Sequence, residues 1–454
     1  MTVKPSQPDT FLPGRTHERL QQFHRGVPVV GAEVTRQLDG GVTVSLSGTV
    51  HRGIGLDAVP ALSAQEAGRI AGRTAGGRIL AGQSPELVVL PLDDGRYELA
   101  WKAEVRSAAD VRACFIGASS GRALLDYSTL KPQQPGSRPA PARVEAVSAG
   151  GDAALTAAVI VAGEWRTPPR ARTEDGSAGP ARDAAVMAAR SAIDATRGYY
   201  LQRTGRFALD DSPAPVLVVV HPASAADWGR AGSPYGRYFA GAFWDGRTIT
   251  LGEGTPDGAS VDGRSWANAA FSSDLVAHEL AHAVLDRTAG LIYRRESGAL
   301  AEAYADIIAS SVAAASASDE ERGDRDPYVI GEAATAGGER SLSHPAQHGH
   351  PDHYSGVDME ADVHANSTVA SHAFYLAIEG GVNRTSGLAV EGVGAAARHQ
   401  VERAFARAFA YMLPAAATFA AAREATIQSA RDLSGPGSEA VRAIGEAWAA
   451  VGVR

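Results

Sequence analysis

The chain has a single cysteine, Cys114, in 454 residues, so no intrachain disulfide can form and the thiol says little about redox compartment. It has no basic excess: 43 Lys and Arg against 51 Asp and Glu give a net charge of −8, which argues against a nucleic-acid partner. It has no long hydrophobic run either. The longest, such as 157–162 and 216–220, fall far short of the roughly 20 apolar residues of a spanning helix and suit buried strands, which argues against a membrane protein. The opening stretch, MTVKPSQPDTFLPGRTHERL, shows neither an apolar core nor a small-residue cleavage site, so the sequence as written lacks a secretory signal. What remains is an ordinary globular composition, 44% apolar and 21% charged, in a chain long enough for about three domains.

The most informative segment is His278-Glu279-Leu280-Ala281-His282, with Glu302 twenty residues beyond it. On a helix, His278 and His282 lie one turn apart and about 40° from each other, so both imidazoles reach one ion. Glu279 lies about 100° around from His278, beside the ion but off the ligand line, where a general base belongs. Val276, Leu280 and Val284 give that helix a buried stripe; Ser272 or Ser273 caps its start, Asp274 stands in the first turn, and Gly290 ends it. A second helical stretch, entered through Ser297, runs over 300–308 and can return antiparallel, bringing Glu302 back to the ion. Two imidazoles and one carboxylate leave the fourth tetrahedral position open, as in a catalytic rather than a structural zinc site. Asp306, one turn after Glu302, is placed to accept an imidazole N–H. The bland alternative, a charged helix with two packing histidines, leaves the paired acids unexplained.

The run LVAHELAHAVLDRTAGLIY over 275–293, followed by ESGALAEAYADI, resembles the active-site region of the thermolysin family of zinc metallopeptidases. Further likenesses follow in the same order as in that family: GAFW at 241–244, HPDHYS at 350–355, VHANS at 363–367, then AREATIQSARDL and AWAAVGVR near the end. The likeness covers roughly 182–454. Upstream, the stretch from His17 through Val50 is similar to the fungalysin/thermolysin propeptide motif, and 62–127 resembles a PepSY-like module.

The resemblance implies an α+β chain: a pro-region of cystatin-like α/β modules, then a two-lobed protease with a β-rich N-terminal lobe, the active-site helix in the cleft and a mainly α-helical C-terminal lobe. It implies zinc on His278, His282 and Glu302, Glu279 as the general base, and His364 with Tyr293 stabilising the oxyanion. Arg340 is expected to hold a substrate carbonyl and shape the primed side, Ala242 to offer its backbone carbonyl, and Trp244 and Asn366 to complete the substrate site. Protein or peptide substrates, a preference for bulky apolar residues after the scissile bond, self-inhibition by the propeptide and secretion come with it; the missing signal leaves a cytoplasmic location open.

Three departures stand out. Gly241 and Ala301 replace asparagines of the family, the first a substrate anchor and the second a partner of His282. Met359 stands where an acid should orient His364, so that Asp358, Glu360 or Asp362 has to serve. For calcium, Asp274 and Glu332 remain, but Ala313 and Pro327 replace carboxylates, and a cation wanting six to eight oxygens is poorly provided for.

The expected organisation is a disordered N-terminus over 1–16, a propeptide over 17–130 opening on a short helix, a Pro-rich processing linker over 131–143, a β-rich lobe over 144–287 and a helical lobe over 288–454. Asp39-Gly40-Gly41 reads as a hairpin turn, and Ser63 as the start of an Ala-rich helix. Two further patterns are read as structural: the serine-elbow match over 117–121, and the histidines 344, 348, 350 and 353 crowded in one loop. The leading reading is a zinc endopeptidase held latent by its own pro-region. A narrow precursor-processing peptidase and a weakly active zinc-binding homologue are the alternatives.

Overall fold

The computed structural model describes residues 2–3, 6–79, 82–107, 110–132, 159–161, 164–166, 184–205, 209, 217–222, 228, 238–246, 248–316 and 326–454. Most of the 131–143 linker, and the rest of the stretch expected to hold the processing junction, lie outside them.

The first strands are β1 (Thr2–Val3), β2 (Gln7–Pro8), β3 (Arg15–His24), β4 (Val27–Asp39) and β5 (Val42–Gly48), all antiparallel neighbours. This corrects two expectations. Among the described residues the N-terminus is tied down, with Thr2–Val3 and Gln7–Pro8 paired to β3 and Asp9 and Phe11 buried, and the stretch after His17 is a strand rather than a short helix. His17 and Arg19, two residues apart, share one face of β3 and are buried there. The Asp39 turn is as expected: Gly40 and Gly41 take φ of 54° and 85°, the left-handed pair that a tight hairpin needs.

Next come α1 (Ala64–Thr74), β6 (Arg78–Ile79), β7 (Glu86–Pro91), β8 (Tyr97–Arg106), β9 (Val111–Gly117) and β10 (Ala123–Ser128). Ser63 caps α1, and Glu66 returns the bond to complete a capping box. The helix sets Ala67 and Ala71 against Ala103, Val105, Cys114 and Ile116 of the sheet. Burial pushes the Cys114 thiol up to about 11, so it is an inert core residue. The elbow-like glycines fall at the end of β9 and in the turn after it. A parallel pairing of Val29 with Val89 joins β4 to β7 and makes one sheet of both modules.

The β-rich lobe contributes a sheet in the order β11 (Lys131–Pro132), β15 (Ala242–Trp244), β16 (Thr248–Leu251), β14 (Leu217–Val219), and a hairpin of β12 (Val159–Val161) with β13 (Glu164–Arg166). The apolar runs seen in the sequence supply β12 and β14. Helices α2 (Ala184–Thr204), α3 (Ser273–Arg287), α4 (Arg295–Ser316), α5 (Val363–Glu379), α6 (Gly394–Arg407), α7 (Phe419–Ser434) and α8 (Glu439–Ala450) follow, with a π-turn over Ala408–Met412.

Every residue of α3 from Leu275 to Leu285, and of α4 from Ser297 to Val312, is buried. Neither is an amphipathic surface helix. Their alanines, glycine and serines allow close helix packing, so the few polar side chains among them are enclosed. Ser272 does sit at the N-cap of α3, but its hydroxyl bonds Asp274 Oδ1 at 2.5 Å rather than a backbone N–H. Gly290, at φ 59°, bonds back to Leu285 and stops the helix as expected.

The N-terminal sheet is docked on the helical lobe through buried polar groups. Arg19 Nη1 donates to Leu413 O at 2.8 Å and to Glu33 Oε1 at 2.9 Å, and Thr35 Oγ1 donates to Met412 O at 2.7 Å. Arg407, fully buried, donates to Asp9 Oδ2 at 2.8 Å and Asp432 Oδ2 at 3.0 Å. His17 Nε2 meets the same Asp9 oxygen at 2.8 Å.

Candidate metal centre and cleft

Helix α3 presents His278 and His282 one turn apart, and the antiparallel return of α4 brings Glu302 between them. Glu302 Oε2 lies 3.2 Å from His278 Nε2, and Oε1 lies 3.1 Å from His282 Nε2. One ligand atom from each residue falls within 4.8 Å of the others, and among the described residues this is the one such group able to hold a metal. All three residues are buried. Among the described residues, none of the four imidazole nitrogens, nor Glu302 Oε2, completes a well-formed hydrogen bond. Buried polar atoms left so are costly unless something binds them, and two imidazoles with one carboxylate are the donor set of an open zinc site. The residues fit zinc.

The surrounding charges are arranged to support it. Asp306 Oδ1 lies 3.0 Å from His278 Nδ1, in ion-pair reach though not aligned as a hydrogen bond, and Arg340 grips Asp306 through Nε at 3.0 Å and Nη2 at 2.7 Å. Burial pushes the Asp306 carboxyl up, but Arg340 and His278 outweigh it and hold it at about 2. His278 is pushed down by burial and up, more strongly, by Asp306 and Glu302, to about 10. Burial drives His282 the other way, to about 4, against the pull of Glu302. Glu302 is held well below the usual carboxylate range because His364 and His282 outweigh its burial. Protons and a divalent cation compete for the same atoms, so these nitrogens are available to a metal only when deprotonated.

Glu279 stands beside this group with both oxygens buried and without a partner among the described residues, and burial pushes it up to about 8. Tyr293 and His364 converge on the same place. The Tyr293 hydroxyl donates to Glu302 Oε1 and lies 3.4 Å from His364 Nε2, which is itself 3.4 Å from Glu302 Oε2. The acid in question is Asp362. Its Oδ1 meets His364 Nδ1 and also accepts the His364 backbone N–H at 2.8 Å as the N-cap of α5. Burial lowers the His364 imidazole, but Glu302 and Asp362 raise it further, to about 9.

The other expected residues fall as follows. Ala242 and Trp244 lie on β15 at the cleft edge, and Trp244 donates its indole N–H to Asp286 Oδ2 at 2.7 Å. Gly241 takes φ 63°, a left-handed conformation open to glycine and asparagine. With Ala301 in place of an amide, His282 Nδ1 has no hydrogen-bond partner among the described residues. Arg340 is fully buried behind the metal group on Asp306, and Asn366 uses its amide on Asp358, donating to its O at 2.6 Å and accepting from its N at 3.3 Å. Asp274 Oδ2 accepts from Gly331 N at 2.6 Å, and Glu332 Oε2 from Asp326 N at 3.2 Å; neither joins a cluster of acids among the described residues. The loop histidines form no metal group there, and His353 Nδ1 accepts from Ser355 N at 3.1 Å.

Three residues escaped the sequence reading. Glu339, buried next to Arg340 and pushed by burial up to about 7, had only its neighbour as a signal. Lys131 and Asp286 meet across the cleft edge: β11 pairs antiparallel with β15, Lys131 opposite Trp244 and Pro132 opposite Phe243, and the ammonium rests on Asp286.

Comparison with known proteins gives a consistent picture. Residues 156–286 match the model of the thermolysin metallopeptidase catalytic domain, 289–453 that of the thermolysin metallopeptidase alpha-helical domain, and 10–50 the fungalysin/thermolysin propeptide motif. Thermolysin of Alicyclobacillus acidocaldarius is 31% identical over 486 residues, covering 97% of this chain and 84% of that protein. The thermostable neutral protease NprT of Geobacillus stearothermophilus is 31% identical over 489 residues with the same coverage. Among solved structures, the precursor of protealysin, a metalloproteinase from Serratia proteamaculans, is similar with a TM-score of 0.48 at 25% identity, over 64% of this chain and 84% of that one.

Proposed function

Since the chain belongs to the thermolysin family of zinc metallopeptidases and carries a propeptide motif ahead of its catalytic domain, we propose that it is a latent endopeptidase in which Glu279 is the base and His364 and Tyr293 receive the oxyanion. The observation that carries this is the convergence of Glu279, Tyr293 and His364 on the buried His278–His282–Glu302 group.

Zinc held by His278, His282 and Glu302 would supply Lewis acidity toward water and a peptide carbonyl. Glu279, with no partner for either oxygen among the described residues, takes the proton of the attacking water and returns it to the leaving amine. His364, its Nδ1 held by Asp362, donates from Nε2 to the developing oxyanion, and the Tyr293 hydroxyl donates beside it. Arg340 holds Asp306, and Asp306 holds the His278 ring. The bond broken is the peptide C–N, and the products are a carboxylate and an amine. The pro-region keeps the cleft closed by lying on its edge strand, and a secreted location goes with this reading. Among the described residues no helix is long and apolar enough to cross a membrane.

The test is hydrolysis of casein and of a defined peptide panel by the purified chain, with loss on chelation and recovery on adding zinc. Cleavage of many panel members supports the general endopeptidase; a single cleaved sequence supports the narrow processing enzyme. No cleavage of any substrate, with zinc bound, would leave the weakly active homologue.

A further inference from the structure

The edge of β15 is where an extended peptide can add a strand, and the chain's own segment already does so. Leu130 is buried against Phe243 in a small apolar cluster, and β11 continues antiparallel to β15 through Lys131 and Pro132. Side chains of an added strand alternate in direction, so register decides which residue meets which pocket. In this register Lys131 faces Asp286, seven residues after Glu279 on α3.

The contact is built rather than incidental. Lys131 is 4% exposed although it carries a long charged side chain. Its ammonium sits on Asp286 Oδ1, while Oδ2 of the same carboxylate is fixed by the Trp244 indole N–H at 2.7 Å. The ammonium also lies 5.5 Å from the centroid of the Tyr293 ring, which places it beside the oxyanion donors. Arg106 Nη2 of β8 reaches Asp245, next to Trp244, at 2.9 Å and ties the same sheet edge to the propeptide. The chain has three lysines against forty arginines, and one of the three is enclosed here.

Resting on the endopeptidase reading above, the geometry points to Asp286 as an acidic subsite that takes a lysine or arginine side chain from whatever strand lies on Ala242–Trp244. In the latent chain the occupant is Lys131. Once that strand leaves, the occupant is a basic residue of the substrate strand that takes its place, opposite Trp244 in the same antiparallel register and, on this proposal, on the side preceding the scissile bond. Asp286 is thus a specificity-determining residue, and the propeptide is held by imitating a basic substrate.

Two measurements decide it. In the first, the converted enzyme is given peptides identical except for Lys, Arg, Leu or Glu at the positions preceding the scissile bond, and the ratio of kcat/KM for Lys over Glu is compared between wild type and Asp286→Lys. That ratio does not depend on how much of each preparation folds. A charge-assisted contact predicts about tenfold or more in favour of lysine in wild type, reversed in the variant; a ratio near one in wild type, or one unmoved by the substitution, overturns the inference. The second uses the full chain carrying Glu279→Gln and reads hydrogen exchange at 242–244. Lys131→Glu should raise exchange there about tenfold or more and Lys131→Arg should restore protection; unchanged protection in Lys131→Glu overturns the lock. If wild type cleaves no peptide, the endopeptidase reading fails while the exchange measurement still decides whether Asp286 binds a cation.

Discussion

The carboxylate of Asp362 serves His364 twice, capping its backbone N–H and holding its Nδ1, so a single acid fixes both the start of α5 and the aim of an imidazole. Asp362→Asn keeps a cap but no longer favours the protonated ring. Its kcat should fall about 10- to 100-fold with zinc content unchanged. Steady-state kinetics alongside metal analysis checks this, and an unaltered kcat would remove Asp362 from the mechanism.

His282→Ala should lose zinc and activity together, since two remaining donors do not make a site for the ion. Metal analysis of the purified variant decides it. Full retention of zinc would move the ligand assignment elsewhere.

Glu279→Gln is expected to bind zinc like wild type and to hydrolyse nothing, because an amide cannot take the proton of water at neutral pH. The same variant tests maturation. Wild type should convert on standing from 47.0 kDa to a species of about two-thirds that mass by a cut within 131–157, while the Gln variant stays whole. Conversion of the variant at the wild-type rate without added protease would show that another enzyme makes the cut.

Docking of the pro-region should weaken in acid. Burial pushes the Asp9 carboxyl up, but His17 and Arg407 outweigh it; at Asp432 Arg407 and Arg15 do the same, so both lie below the ordinary 3.8. His17 is pushed below 6.5 by burial, more than Asp9 raises it. A depressed group gives stability above its free value and loses it as pH falls through the docked one. Loss therefore begins at His17 below pH 6.5 and is completed at Asp9 and Asp432 below 3.8. Melting of the Glu279→Gln chain across this range should show Tm falling with pH, and less so in Arg407→Leu, where the carboxylates lose their cation; a flat profile in the intact chain would sink the assignment.

The metal group was legible in the sequence because helical spacing is local: His278, Glu279 and His282 share one helix, and Glu302 with Asp306 shares the next. Asp362 could be narrowed only to three candidates, since a loop of altered length hides register. The N-terminal strand was misread because the partners that complete the bonding of Asp9 and Arg19 lie nearly 400 residues away. Nothing in a Pro-rich segment announces that its first lysine will pair with an acid of the active-site helix, for strand register across more than a hundred residues is set by packing and not by composition.

Arg407 also sets an order of events in time. Asp9 and Glu33 leave the ribosome nearly 400 residues before the Arg407 guanidinium and Leu413 carbonyl that complete their network, an interval of about 20 to 80 s at ordinary rates of synthesis. The N-terminal sheet must fold with those acids still exposed, and the helical lobe closes onto it last, across a loop as long as the chain allows. While the chain is whole this closure is unimolecular and repeatable. After a cut between the halves it would become a second-order encounter, so two pieces that assembled together would not readily meet again once diluted.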